Sequence, residues 1–168
     1  MGRIAAVVLI GLGLAGGAAA YYFQVYAFYD RLEPRESFAL TPMGAAAPQP
    51  VPISGFEGID SDSSPLRFRA CFTLQASVDA YAPHPAPTPL IAPGWFDCFD
   101  AEAIGADLER GAARALMAEA HFEYGFDRVV AVYPDGRAYA WHQINPCGES
   151  FFDGLPLPPD CPLPPEGR

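Results

Sequence analysis

Not one of the 168 residues is lysine; all ten basic residues are arginine, set against twenty aspartates and glutamates, for a formal charge of −10. A phosphate backbone is held by clustered Lys and Arg. Arg67 and Arg69 are the nearest approach to a basic pair, so no nucleic-acid partner is expected. The four cysteines, 71, 98, 147 and 161, contain no C-x-x-C pair, which argues against a zinc ribbon or a thioredoxin-type dithiol. Histidine is also scarce: His84, His121 and His142 fall in three separate segments without metal-ligand spacing. There is no phosphate loop, no G-x-S-x-G elbow and no kinase motif set. The run "GLGLAGG" superficially resembles a dinucleotide loop, but it lies inside an apolar stretch of membrane length. No cofactor is expected.

That stretch is the strongest positive feature. From Ile4 to Tyr29, "IAAVVLIGLGLAGGAAAYYFQVYAFY", no residue is charged. A membrane span needs about 20 mostly apolar residues, and the run ends in tyrosines and phenylalanines, which favour the bilayer boundary. Ala18 and Ala20 form an A-x-A pattern that would suit signal cleavage before Tyr21. The apolar run continues beyond that point, so an uncleaved anchor in the bilayer is the expectation. Basic residues nearly balance on its two sides. The acidic body and the even cysteine count break the tie toward a cytoplasmic N-terminus and a periplasmic body on a bacterial inner membrane, where thiols oxidise.

Four segments follow: an anchor over 1–29, a Pro/Ala-rich stalk over 30–55, a compact domain over 56–150, and a proline-rich tail over 151–168. Prolines 48, 50 and 52 favour extended backbone in the stalk. Within the domain, "LRFRACFTL" (66–74) alternates like a half-buried strand, with Phe68, Ala70, Phe72 and Leu74 on one face and Cys71 on the other. Residues 100–123 carry apolar side chains at helical spacing, with Asp97 or Asp100 as the N-cap; Gly105 and Gly111 weaken this helix. "FDRVVAVYPDGRAYAWHQI" (126–144) is a hairpin about Pro-Asp-Gly. Pairing Tyr133 with Arg137 places Arg128 opposite His142, and Val130 and Val132 opposite Ala140 and Ala138. That small-residue face suits an Ala-rich helix. The expected fold class is α+β: a transmembrane helix, a stalk and a small β-α-β-β domain with one main helix.

A body of this size buries a limited fraction of its surface and gains from cross-links. Four cysteines allow three connectivities. The preferred one is Cys71–Cys98, tying the first strand to the helix entrance, with Cys147–Cys161 tying the tail to the hairpin. In "PGWFDCFDAE" (93–102), Cys98 then marks a pinned junction. Trp95 and Phe96, with Arg67 and Arg69, form a candidate interaction surface, since Trp and Arg are favoured at interfaces. Asp60 and Asp62 in "GIDSDSSPLR" could hold a divalent cation, but the glycine and distal glutamate of a calcium loop are missing. A serine-rich turn accounts for the same residues. His142 beside Arg128 makes a poor proton acceptor.

The short apolar N-terminus, "DSDSSPLRFRACF", "PGWFDCFDAEAIG", "EYGFDRVVAVYPDGRAYAWHQINPCG" and "DGLPLPPDCP" together resemble a small family of uncharacterised alphaproteobacterial single-span membrane-anchored proteins. Members sometimes carry the label "histidine kinase", which no motif in this chain supports. The resemblance implies bacterial origin and a periplasmic body; it supplies no functional residues. Two functions follow as expectations. The first is a non-enzymatic, membrane-anchored domain that binds an envelope protein. The rival is a periplasmic enzyme or metal-binding domain using His142 with Asp60 and Asp62.

Overall fold

A computed structural model describes residues 2–26 and 28–165. The outer ends of the expected anchor and tail, Met1 and residues 166–168, and also Ala27, lie outside the described residues. Helix α1, Gly2–Val25, is unbroken, and its Gly2–Phe23 portion is long and apolar enough to cross a membrane. The body is a seven-stranded sheet with two short helices, an α+β fold.

The strands are β1 (Asp30–Arg31), β2 (Ser37–Leu40), β3 (Gln49–Asp60), β4 (Arg69–Leu74), β5 (Arg114–Glu123), β6 (Phe126–Val132) and β7 (Arg137–Ile144). Their order is β1-β3-β4-β7-β6-β5, with β2 also on β3 and every pairing antiparallel. Gly55, at φ +64°, sits in a register shift of β3 between Ser54 and Glu57, and the sheet curls. Its far edges nearly meet: Thr41 N–H donates to Met117 O (3.0 Å) and Met117 N–H to Ala82 O (2.8 Å).

Residues 30–55 are therefore not a spacer. They form β1, β2 and the first half of β3, and Phe38, Leu40, Val51 and Ile53 are buried. The prolines are tolerated for a geometric reason. Ile53 N–H donates toward Glu36 O, on the β2 side. Alternate residues point their N–H groups the opposite way, so Pro50 and Pro52 face the other edge. There β4 has already ended, with Leu74 opposite Ile53, and no ladder donor is required.

The expected long helix over 100–123 is also corrected. Helix α2 covers only Ala101–Glu109, capped by Asp100, whose carboxylate accepts from Ala103 N–H (3.0 Å). Gly111 at φ +73° ends it, as glycine commonly does just past a helix C-terminus. Residues 114–123 are strand β5. Ala, Leu, Met and Glu favour helix locally. Pairing with β6 overrides that preference, with Leu116 opposite Val130 and Arg114 opposite Val132.

The β6–β7 hairpin has the expected register, Arg128 with His142, Val130 with Ala140 and Val132 with Ala138. Its Val/Ala face does not meet a helix. It closes onto Phe38, Phe56, Phe68, Phe72, Leu74 and Leu116 inside the curled sheet. The opposite face, with Val129, Ala131 and Trp141, packs against Phe96, Phe99 and Ile104 of the α2 region. Large aromatic rings fill the curl from the other strands, so small side chains are what the hairpin can present there. Both expected disulfides form, Cys71–Cys98 and Cys147–Cys161. Cys147 belongs to a third helix, α3 (Pro146–Phe152), whose Gly148 lies so close to Gly125 that a Cβ there would overlap the Gly125 carbonyl.

Candidate functional site

The structure brings Asp60, Asp62 and His142 to one place. With Ser61, Ser63, Ser64, Pro65, Phe122, Glu123, Phe126 and Phe152 they line a cavity of about 520 Å³. It opens at the end of the sheet where β3 stops and β4 begins. The 60–66 segment is stitched by local bonds: Ser61 N–H donates to Asp60 Oδ1 (2.8 Å), and Leu66 N–H to Ser64 Oγ (3.3 Å). It is the serine-rich turn its composition suggested. Burial raises the Asp60 carboxyl above its usual range, and the Ser61 N–H partly offsets this.

His142 is 2% exposed. It stacks between Phe68 and Phe122, with ring centroids 4.6 and 3.8 Å away. Arg128 Nε donates to its Nε2 (2.8 Å), which fixes the tautomer: Nδ1–H then donates to Pro65 O (2.7 Å). Arg128 in turn pairs with Glu119 (3.1 Å). Both ring nitrogens are thus committed to the protein itself. Burial, then the Arg128 charge, push this imidazole down to about 3. Among the described residues no group of three or more His, Cys, Asp or Glu is placed to hold a metal ion.

This geometry sets a pH dependence. The folded chain holds His142 neutral down to about pH 3, whereas the unfolded chain protonates it near 6.5. Between those values the unfolded state binds more protons, so stability is present above about 6.5 and falls as the pH is lowered. From pH 7 to pH 5 the expected loss is about 2 kcal/mol. Thermal unfolding at the two pH values, in wild type and His142→Gln, isolates the effect from Asp60 and other carboxyls. Equal pH dependence in the two proteins would show that His142 is not the cause.

A second polar cluster was not legible in the sequence. His84, which sits in the proline run, and His121, near the end of β5, both meet Asp127 on β6. His84 Nε2 lies 3.5 Å from Asp127 Oδ2; Asp127 Oδ1 accepts from His121 N–H (2.9 Å) and Asn145 Nδ2 (2.7 Å). Despite burial, these donors hold the Asp127 carboxyl below its usual range. His121 takes φ +49°, and the Asp127 bond to its N–H holds that backbone. Gln143 extends the cluster, accepting from Thr88 N–H (2.8 Å) and donating to Ala86 O (2.9 Å). All of these bonds are internal, and they fasten the 84–88 segment to the end of the sheet.

Of the four residues expected at an interaction surface, two are not on the surface: Phe96 and Arg69 are each 3% exposed. Phe96 packs under α2. Arg69 reaches from β4 to the proline run, donating to Leu90 O and Ile91 O. Trp95 and Arg67 face the end of α1. Trp95 Nε1–H donates to Val25 O (2.7 Å), satisfying a carbonyl of the helix C-terminus. Tyr26 stacks on the Trp95 ring (5.9 Å) and Arg31 lies over it (5.2 Å). Arg67 lies over Phe28 (5.5 Å) and Tyr29 (5.3 Å).

At the opposite end of the sheet, an open cleft of about 550 Å³ is lined by residues 74–78, 111–114 and 132–136. Val132 and Tyr133, both buried, form part of its wall. The Arg114–Asp79 and Arg137–Asp135 ion pairs stand at its margins.

A family model described as a family of unknown function, DUF6446, matches residues 38–162. The chain belongs to the DUF6446 family. The DUF6446 match runs from β2 to just past Cys161 and so contains both disulfides, both polar clusters and the distal cleft. No curated protein and no solved structure matches this DUF6446 chain.

Proposed function

We propose that this protein is a single-span, membrane-anchored binding domain of the bacterial envelope, with its body in the periplasm. Its cleft grips an extended segment of a partner envelope protein. The carrying observation is the polarity of the molecule. β1, which follows α1, pairs with the Ile59–Asp60 end of β3, beside Arg69 at the start of β4. The cleft opens at Leu74, the other end of β4, roughly 17 Å farther along at about 3.3 Å per residue. A domain anchored this way presents that cleft away from the bilayer. The disulfides support an oxidising compartment.

The cavity around His142 favours the rival enzyme or metal reading less. It gathers the right residue types, but its only imidazole has no free nitrogen, and depressing its basicity removes it as a general base near neutral pH.

Site-specific photo-crosslinking in intact membranes tests the binding reading. A photoreactive residue at Ala76 or Pro134, in the cleft, is expected to yield a discrete protein adduct. The same residue at exposed Asp153, after α3, is not. Adducts absent from the cleft positions, or equally strong from Asp153, would overturn it.

A further inference from the structure

Past helix α1 the chain has almost no slack. Only residues 26–29 separate α1 from β1, and the body closes on the last turn of the helix. Trp95 Nε1–H donates to Val25 O (2.7 Å), and Tyr29, Ala92 and Trp95 all pack against the outer core. The Gly2–Phe23 stretch is about 33 Å long at 1.5 Å per residue, against about 30 Å for the hydrocarbon core of a bilayer. Val25 therefore falls at the edge of that core, in the layer where Trp and Tyr rings are favoured. The turn that carries Trp95, closed by Phe96 N–H on Pro93 O (2.9 Å), is held in the same layer.

Ile91 precedes this turn and is 84% exposed. Residues 85–96 carry no charged side chain. The exposure is built in, because the backbone there is fastened: Arg69 donates to Leu90 O (2.6 Å) and Ile91 O (3.2 Å). Arg69 is opposite Ile59, and Ile59 is opposite Arg31. The loop is thus held level with β1, where α1 arrives, while the Ile91 side chain stays outside the core.

A single exposed isoleucine is ordinary. The position of the other exposed apolar side chains gives it meaning. Phe28 lies in the link to α1. Phe152 lines the cavity that also holds Asp60, and Asp60 is opposite Asp30 at the start of β1. Leu155 follows Phe152 closely, and Leu163 adjoins Pro162, whose carbonyl accepts from the Tyr124 hydroxyl in the β5–β6 turn. That turn faces Ile144, the last residue of β7, at the same end of the sheet. Met43 is the exception, exposed at the far end where β2 meets the start of β3. A planar partner needs these side chains at one level rather than in one pocket, and a bilayer already crossed by α1 is such a partner.

We infer that this end of the body rests on the bilayer surface through an apolar contact led by Ile91, with Phe28 and Phe152 at the same level. This rests on the reading of α1 as a membrane span, and the contact is continuous with that span. It fixes the tilt of the body, and with it the height at which the distal cleft stands off the membrane. The chain carries a net charge of −10, so attraction to anionic lipid does not drive the contact. It forms on zwitterionic lipid and survives high salt, which screens charges but not apolar burial.

The test uses full-length protein in phosphatidylcholine vesicles that contain a radiolabelled trace of the same lipid. A photoreactive residue is placed at Ile91, Phe152 or Met43, all of them exposed, so the core stays intact. Flotation reads the span, and label migrating with the protein after illumination reads the contact. Positions 91 and 152 are expected to yield several-fold more lipid adduct than position 43, with no change in high salt. Adducts from either near-end position no stronger than from position 43, in protein that floats, would overturn the contact while leaving the span intact. A protein adduct from position 91 in place of lipid would overturn it in favour of a second copy of the chain. Loss of the adducts in high salt would overturn its apolar character. Failure of wild type to float would overturn the span, and the contact with it.

Discussion

Replacing Arg69 with alanine is expected to destabilise the protein by about 4 kcal/mol, among the largest single-residue effects in the chain. The side chain is 3% exposed and donates four hydrogen bonds, all to backbone carbonyls. Its Nε reaches Leu90 O (2.6 Å) and Nη2 reaches Ile91 O (3.2 Å), while Nη1 reaches Leu66 O (2.8 Å) and Phe68 O (2.6 Å). The first two belong to the proline run, which has few N–H groups of its own with which to join a sheet. Arg69 therefore staples that run to β4. Burial pushes the guanidinium down to about 10, with Tyr29 and Asp60 opposing the shift, so it stays charged at neutral pH. Alanine would leave buried acceptors unsatisfied and a void beside Phe99. Lysine keeps the charge but not the planar fork, so Arg69→Lys should recover only part of the loss. Thermal unfolding of the detergent-solubilised chain checks this, with a fall of roughly 10 °C expected for Arg69→Ala. A change of a degree or two would show that the proline run holds itself in place.

Removing the Cys71–Cys98 bridge is the second large effect. The two cysteines are 27 residues apart, and closing a loop of that length is worth about 3.5 kcal/mol in the chain-entropy model. The double replacement Cys71→Ser with Cys98→Ser avoids a stray thiol. It should lower the unfolding temperature by roughly 10 °C and reduce abundance in membranes. The Cys147–Cys161 bridge, spanning 14 residues, is worth about 3 kcal/mol by the same relation. Cys71 is buried in the outer core beside Trp141, and Cys98 lies in the same short segment as Trp95. Loss of the first bridge should therefore also loosen the seating of α1, which a change in Trp95 fluorescence would report. Peptide mapping without reduction checks the pairings; four free thiols in the native protein would refute both and remove the support for an oxidising compartment.

Local pattern was enough for several elements. The hairpin register followed from Pro-Asp-Gly and the alternation around it, because a two-stranded turn is specified by adjacent residues. The two faces of β4 followed from strict alternation, and both cysteine pairings from the segments they would tie together. The apolar N-terminal helix was legible because length and absence of charge are sufficient to mark a stretch long enough to cross a membrane. The candidate cavity was legible only as residue types: Asp60, Asp62 and His142 are named by composition, but their meeting depends on the end of β3, the start of β4 and the end of β7 lying at one side of the sheet.

What only the tertiary structure decided is the fate of segments whose local preference is weak or points elsewhere. Residues 114–123 have helix-forming composition and become a strand because β6 offers a long ladder and Gly111 stops α2 first. Residues 30–55 look like a spacer, since proline usually ends a sheet. They join one because Pro50 and Pro52 fall beyond the end of β4. The Asp127 cluster joins residues from 84 to 145, which no local window contains. Composition and short-range alternation determine elements that are stabilised within themselves. Partners distant in the chain decide the rest, since hydrogen bonds and burial supplied from afar outweigh a local preference of a few tenths of a kcal/mol per residue.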